Sequence, residues 1–353
     1  MSDGRKQGTP ITGITGSGKS TFIANAMSPW DPAPKVGHDQ QSETSEIQEF
    51  TIGEPIKGFD VILVDTPGFD DTTHGNALAF TQTTKWLKEF HRANKFLSGI
   101  IYLYDINNKR GGGSAVESLN IVKKFCGETF TPSVMLVSNM WSTPEKSREI
   151  SRERTLESSD RYWASFRKNG AKMCRYHSHD CHPFEEGAPP PSEAEIKAMA
   201  KSKEEARKEA RDIILEILKN PRRNTRFQHQ VINEGKDIAE TDVCRTVINQ
   251  LVAAVIKEDE KEKEAEAAAK ERKESDPEGS AFFYEQAEQA RRRKERIQQQ
   301  WLLLAEFVEK LGYTLAAVAE EYGYVVGSCG LRALTKITAN RLRAHPPDSN
   351  QLG

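Results

Sequence analysis

Eight residues near the start of the chain, Gly13-Ile14-Thr15-Gly16-Ser17-Gly18-Lys19-Ser20, carry the spacing G-x-x-x-x-G-K-S. Glycines at these positions let backbone N–H groups turn inward with no side chain in the way. A helix N-terminus just behind them adds a partial positive charge, and together they hold an anionic phosphate chain. In this pattern the lysine, Lys19, reaches the β- and γ-phosphates, and the hydroxyl of Ser20 ligates Mg²⁺. Gly13, Gly16, Ser17, Gly18, Lys19, Ser20 and Thr21 are therefore the expected nucleotide contacts, and Thr21 to Met27 reads as the helix that the motif requires.

A second motif sits downstream. Phe59-Asp60-Val61-Ile62-Leu63-Val64-Asp65 is an apolar run ending in a carboxylate, followed by Thr66-Pro67-Gly68. It reads as a buried strand that delivers Asp65 to the carboxyl edge of a sheet, where α/β folds bind nucleotides. Asp65 is expected to hold Mg²⁺, directly or through water, and Gly68 to approach a γ-phosphate through its bare N–H. Before it, Glu46 to Ile52 alternates like a strand, and Gly53 to Gly58 is rich in turn residues. That link is too short for a parallel crossover, so the two strands should form an antiparallel hairpin. Thr44, just ahead of the hairpin, is the expected switch threonine for Mg²⁺ and the γ-phosphate, with Ser42 and Ser45 as close competitors.

With these motifs in place the chain resembles AIG/GIMAP-type and septin-related P-loop GTPases, and most of all the fungal G-domain proteins of that group. The resemblance rests on the run from Gly13 to Ile23, on Ser42 to Gln48, and on Asp65-Thr66-Pro67-Gly68-Phe69-Asp70-Asp71. Tyr102 to Ile106, Lys109 to Ser114 and Leu119 to Gly127 also fit, so it covers residues 9–180. It implies a Ras-like G domain: a three-layer α/β fold with a mostly parallel sheet and one antiparallel strand, followed here by an α-helical extension. It also implies GTP and GDP as ligands with Mg²⁺, slow hydrolysis, and pairing of protomers through the nucleotide face.

The chain departs from that pattern in three places. Guanine recognition normally comes from N-K-x-D, whose Asp accepts two hydrogen bonds from the base; here Ser138-Asn139-Met140-Trp141-Ser142 follows the strand from Ser133 to Val137 and contains no Asp. Asn139 can still meet a base edge and Trp141 can stack, so base selectivity rests on resemblance alone. Phe69 occupies the position after D-T-P-G where many small GTPases place the glutamine that orients water. Asp70, Asp71 and Arg110 read as solvated loop charges rather than catalytic groups. Finally, Arg5 to Thr12 is polar and contains Pro10, which cannot donate to a sheet ladder, so a weak first strand from a truncated or mis-spliced start is expected.

Composition sets the outer bounds. The 353 residues suffice for two domains, and a net charge of −2 gives no broad field for nucleic acid, so no nucleic-acid partner is expected. The five cysteines are scattered and odd in number, which fits reduced thiols and a cytoplasmic location. There is no secretory signal and no long uncharged apolar run, so no transmembrane segment is expected; Trp301 to Val326 carries five charged side chains and should pack.

Composition shifts place a G domain at 1–187, a proline-rich linker at 188–192, a charged helical extension at 193–345 and a disordered tail at 346–353. The mixed-charge run from Lys257 to Glu274 reads as a solvated helix, with a coiled coil pairing protomers as the sharper alternative. The Arg291-Arg292-Arg293-Lys294 cluster reads as a solvated helix face. Cys174, His177, His179, Cys181 and His182 are zinc-capable but match no standard finger spacing, and a base-side loop is the preferred reading. The resulting expectation is a GTP-binding switch or oligomerising scaffold with slow or partner-dependent hydrolysis, forming a homodimer through the nucleotide face or the helical extension. A nucleotide-binding scaffold without turnover and an ATP-preferring P-loop NTPase are the alternatives.

Overall fold

The computed structural model describes residues 7–13, 16–28, 30–32, 46–68, 75–93, 95–108, 113–142, 144–177 and 192–309. Their contacts divide the chain into two compact units: Met1–Asp71 with Gln82–His229, and Thr72–Thr81 with Gln230–Gly353.

The first unit is built on one sheet of seven strands: β1 (Gln7–Gly13), β2 (Gln48–Thr51), β3 (Val61–Asp65), β4 (Phe96–Leu97), β5 (Ile100–Asp105), β6 (Val134–Asn139) and β7 (Lys172–Arg175). The order is β2-β3-β1-β5-β6-β7, with the short β4 also paired to β1. Every pair is parallel except β2 with β3, the hairpin expected from the sequence, whose register sets Gln48 opposite Asp65. Helices α1 (Lys19–Ala26), α2 (Gly75–Arg92), α3 (Gly113–Phe130), α4 (Ser147–Ser158), α5 (Ala164–Lys168), α6 (Glu193–Leu218) and the single turn α7 (Arg226–Gln228) follow in chain order. This is the three-layer, Ras-like α/β fold expected from the motifs.

The polar stretch with Pro10 does form a strand, and a central one. On one side β1 pairs with β3 from Gln7 to Ile11. On the other it pairs with β4 at Gln7 and Gly8, and with β5 from Ile11 to Gly13. The ladder on that second side therefore lapses at Thr9 and Pro10, between the end of β4 and the start of β5. A residue with no N–H is tolerated at such a break. The expected weakness of this strand is thus met by a local gap in its pairing.

All five residues of β3 are buried, as a strand covered on both faces requires. One face of the sheet supplies Ile11, Leu63, Ile101, Leu103 and Val137 to a core closed by Phe22 and Ile23 of α1 and by Ile213, Ile214 and Ile217 of α6. Tyr176 edges onto Phe22 at 5.0 Å, and its hydroxyl accepts a 2.8 Å hydrogen bond from Asn25. Helix α6 lies beyond the proline-rich stretch at 188–192 yet packs in the first unit, because its apolar face completes this core.

In the second unit, α8 (Asp242–Arg272) and α9 (Pro277–Glu309) run antiparallel. Ser280 donates to the Ala269 carbonyl near the turn, while Lys294, farther along α9, meets Asp259 at 3.0 Å. Arg291 bridges Glu262 and Glu266, each at 2.9 Å, and Arg293 lies 3.6 Å from Glu258. The basic cluster is thus neutralised along its own hairpin, and the charged helices pair with each other within one chain. The unit also holds the first turns of α2: Asn76 donates to Gln250 at 3.1 Å, and Phe80 meets Phe307 edge-on at 6.3 Å. No described helix is long and apolar enough to cross a membrane.

Ile214 is fully buried between sheet and α1. Ile214→Ala should cost about 2–5 kcal/mol of stability through lost burial and a residual cavity. Urea unfolding followed by tryptophan fluorescence should show the midpoint fall; an unchanged midpoint would refute the role given to α6.

Candidate functional site

Site residues gather at the carboxyl ends of β1, β3 and β6. The loop leaving β1 begins at Gly13, whose φ of 146° and close approach to β5 exclude a side chain; an added Cβ would lie 2.3 Å from the Leu103 carbonyl oxygen. It ends at Gly18, the N-cap of α1 with φ 84°, where a Cβ would meet the Asn139 amide nitrogen at 2.6 Å. Between them Gly16 is exposed and Ser17 is buried. Lys19, the first residue of α1, is buried, and the first N–H groups of that helix have no partner within it.

On one flank Ser20 Oγ donates to Asp65 Oδ2 at 2.7 Å, across 45 residues of sequence. The two residues assigned to the metal from separate motifs are thus side by side. Octahedral Mg²⁺ holds its oxygens at about 2.1 Å, which places neighbouring ligands about 3 Å apart. The Ser20 and Asp65 oxygens fit that spacing, and both are hard donors. Asp65 is 1% exposed at the end of β3. The next residue, Thr66, ties the D-T-P-G turn to β1 by donating to the Ile11 carbonyl at 2.9 Å, and Gly68 is buried beyond it. Thr21 lies in the first turn of α1. Thr44, Ser42 and Ser45, and likewise Phe69, Asp70, Asp71 and Arg110, lie outside the described residues.

On the other flank the fully buried Asn139 spends its side chain on the loop rather than outward. Its Nδ2 donates to the Ser17 carbonyl at 3.1 Å, and its Oδ1 accepts from Met140 N at 2.7 Å. Met140 takes a left-handed φ of 63°, held by Asn107 Nδ2 donating to its carbonyl at 2.5 Å. Trp141 is nearly buried: its indole N–H donates to Ser138, and the Arg175 guanidinium covers its ring at 4.3 Å. The segment after β6 is therefore a built wall.

Sequence reading missed what stands behind that wall. Glu149, with no exposed surface, accepts from Ser142 Oγ at 2.5 Å, from Ser142 N at 3.2 Å and from Lys146 N at 3.0 Å. Burial by itself would raise its pKa, but these donors and the Lys146 charge outweigh it and hold the carboxyl at about 2. The signal in the sequence was the capping-box spacing from Lys146 to Glu149 at the start of α4, without a Ser or Thr to announce it. Glu153, also buried, accepts from Ser138 Oγ and from Arg175.

Of the zinc-capable cluster, Cys174 and His177 are described, and they do not converge. Burial pushes the Cys174 thiol up to about 12, the protonated, inert form. The His177 ring lies instead between carboxylates, 3.1 Å from Glu209 and 3.2 Å from Glu145. His179, Cys181 and His182 lie outside the described residues, and among the described residues no group of three metal-ligating side chains forms.

Residues 9–139, from β1 to the end of β6, match the model of a family described as 50S ribosome-binding GTPase. That stretch is similar to a P-loop GTPase domain. No curated protein matches the chain. Among solved structures, Toc33 from Arabidopsis thaliana in complex with Mg²⁺ and GMPPNP is similar with a TM-score of 0.39 and 18% identity, over 60% of this chain and 86% of that one. Era from Aquifex aeolicus bound to GDP and AlF4⁻ gives 0.32 and 16%, over 49% and 51%. Elongation factor SelB from Methanococcus maripaludis, in complex with a GTP analogue, gives 0.33 and 13%, over 62% and 35%.

His177 supplies a pH dependence. Burial lowers its pKa, but hydrogen bonds to Glu209 and Glu145 and their charges outweigh that and raise it above the usual 6.5. A raised value means that its stabilisation is complete below about pH 6.5 and is lost as pH rises through the folded-state pKa. The ring is 38% exposed, so the effect is small. Melting temperature across pH 6 to 9 should fall more for the native chain than for His177→Gln; parallel curves would refute the pairing.

Proposed function

We propose that this protein binds GTP and GDP with Mg²⁺ and hydrolyses GTP slowly or with a partner's help, serving as a nucleotide-controlled switch or oligomerising scaffold. The observation that carries the reading is the 2.7 Å contact between Ser20 and Asp65, which joins two motifs into one metal-and-phosphate corner beside Lys19. The family match over residues 9–139 supports it. The finer kinship, with AIG/GIMAP-type and septin-related GTPases of the fungal kind, rests on the motif residues alone.

In this reading the backbone from Gly13 to Ser20 cradles the phosphates, and the Lys19 ammonium neutralises their terminal charge. Ser20 and Asp65 hold Mg²⁺, with Thr44 as the third group. When bound, Mg²⁺ offsets the charge that develops on the phosphate oxygens. Gly68 lets the backbone sense the γ-phosphate. Thr44 and Gly68 thus belong to the machinery of hydrolysis along with Lys19. The absence of a glutamine after D-T-P-G, where Phe69 stands, is the reason for slow turnover. The stretches of roughly 36–46 and 68–75, most of which lie outside the described residues, would serve as the switch loops that respond to the γ-phosphate.

A G domain at 1–187, the helical extension at 193–345, whose first helix α6 packs in the first unit, a homodimer through the nucleotide face or the helical extension, and a cytoplasmic location complete the proposal. An ATP-preferring site and a scaffold without turnover remain the rival readings.

Titration with fluorescent GTP and ATP analogues in Mg²⁺ tests it. The native chain should prefer GTP, and Lys19→Ala should lose tenfold or more in affinity for both. Binding of neither by the native chain would overturn the nucleotide site. ATP preference would favour the ATPase reading, and bound GTP that never turns over would favour the scaffold.

A further inference from the structure

We propose that Ser142 reads the base of the bound nucleotide, and that Glu149 behind it makes the Ser142 hydroxyl an obligate acceptor that selects guanine. This rests on the nucleotide reading above and deepens it.

The direction of the nucleotide follows from the flanks of the loop. Ser20 and Asp65 mark the metal and the terminal phosphate on the β3 side. The strand order β3-β1-β5-β6 then sends the far end of the ligand toward β6. There the wall begins at the loop itself, since Asn139 and Met140 lie against Gly18. The ligand's base must therefore pass along Met140, Trp141 and Ser142.

Most polar groups of that wall are already committed. The Asn139 amide holds Ser17 and Met140, the Met140 carbonyl holds Asn107, and the Trp141 indole N–H holds Ser138 under the Arg175 guanidinium. Ser142 differs because its commitment is one-sided. Its backbone N–H and its hydroxyl hydrogen both point inward to the Glu149 carboxylate, and the residue is half-buried rather than enclosed. A hydroxyl has one hydrogen and two lone pairs. With the hydrogen spent on a buried anion, the Oγ can only accept from the open side, and the charge 2.5 Å behind it strengthens that acceptance.

An acceptor of this kind discriminates between purines. Placed against N1 and the 2-position, it meets adjacent N–H donors on guanine, N1 and the exocyclic amine, but a bare acceptor at N1 on adenine, whose own amine lies at the 6-position on the other side of N1. Guanine is drawn in, and adenine sets two lone pairs against each other. Rejection arises because a buried polar arrangement is left unpaired by the wrong base. The pair also replaces the missing Asp of N-K-x-D: Ser142 stands at that position, and the negative charge sits on Glu149, seven residues on, relayed through the hydroxyl. The chain can thus lack the motif and keep the selectivity.

Glu149 also caps α4, so a purely structural role must be separable from a base-reading one. The ratio of GTP to ATP affinity separates them, because ATP binding through the phosphates reports an intact fold. Dissociation constants for both nucleotides would be measured on the native chain, Ser142→Ala and Ser142→Thr, with Lys19→Ala as the phosphate-site control. The expected result is a native preference for GTP that falls at least tenfold in Ser142→Ala, with ATP affinity unchanged or higher, and is kept in Ser142→Thr, which retains the hydroxyl.

Equal losses for both nucleotides in Ser142→Ala, or a preserved GTP preference, would overturn the proposal. A native chain that binds GTP and ATP equally, with both lost in Lys19→Ala, would overturn it while leaving the nucleotide site standing. A native chain that binds neither would overturn both.

Discussion

Everything in the candidate site depends on β1 occupying the middle of the sheet. Its carboxyl end launches the phosphate loop, and only a central strand can bring that loop between Asp65 on β3 and Asn139 on β6. The strand that must do this is polar and contains a proline. The fold accommodates it by dividing the partner on one side into β4 and β5, so that no ladder bond is asked of Pro10 there. Buried hydroxyls of Thr9 and Thr12 remain without a partner. Each such group costs about 1–3 kcal/mol. The position of the functional loop is thus held by register with β3 and by the Ile11 and Thr66 contact, more than by the apolarity of the strand itself.

The two flanks of the loop do different physical work. On the β3 side, hard oxygens face each other at 2.7 Å, an arrangement suited to a small divalent cation. On the β6 side, an amide clamps the backbone of the loop at Ser17. One flank answers to charge and the other fixes shape. The close approach at Gly18, where any side chain would strike Asn139, shows how tightly the second flank is set.

Much of this was legible in the sequence, for a definite reason. The phosphate loop, Asp65 and the β2–β3 hairpin are local patterns, in which neighbouring residues specify both conformation and chemistry. What sequence reading missed depends on contacts between distant residues. Pro10 looked incompatible with a central strand because the break between β4 and β5 lies 90 residues away. The commitment of Asn139 to Ser17, 122 residues back, leaves no trace in sequence. Nor does the Arg175 guanidinium that covers Trp141 from β7.

The helical hairpin carries the same point into the second unit. Arg291, Arg293 and Lys294 form a basic run that in isolation suggests an acidic partner. Their partners are Glu258, Asp259, Glu262 and Glu266, one helix earlier and in antiparallel register. Ion pairs this exposed add little net stability. Their effect is to favour the face of α9 that meets these carboxylates of α8. Burial of Val247, Leu251 and Trp301 supplies the stability that the charges do not. The charges along this seam are thus spent within the hairpin, and they specify its register while its apolar residues hold it together.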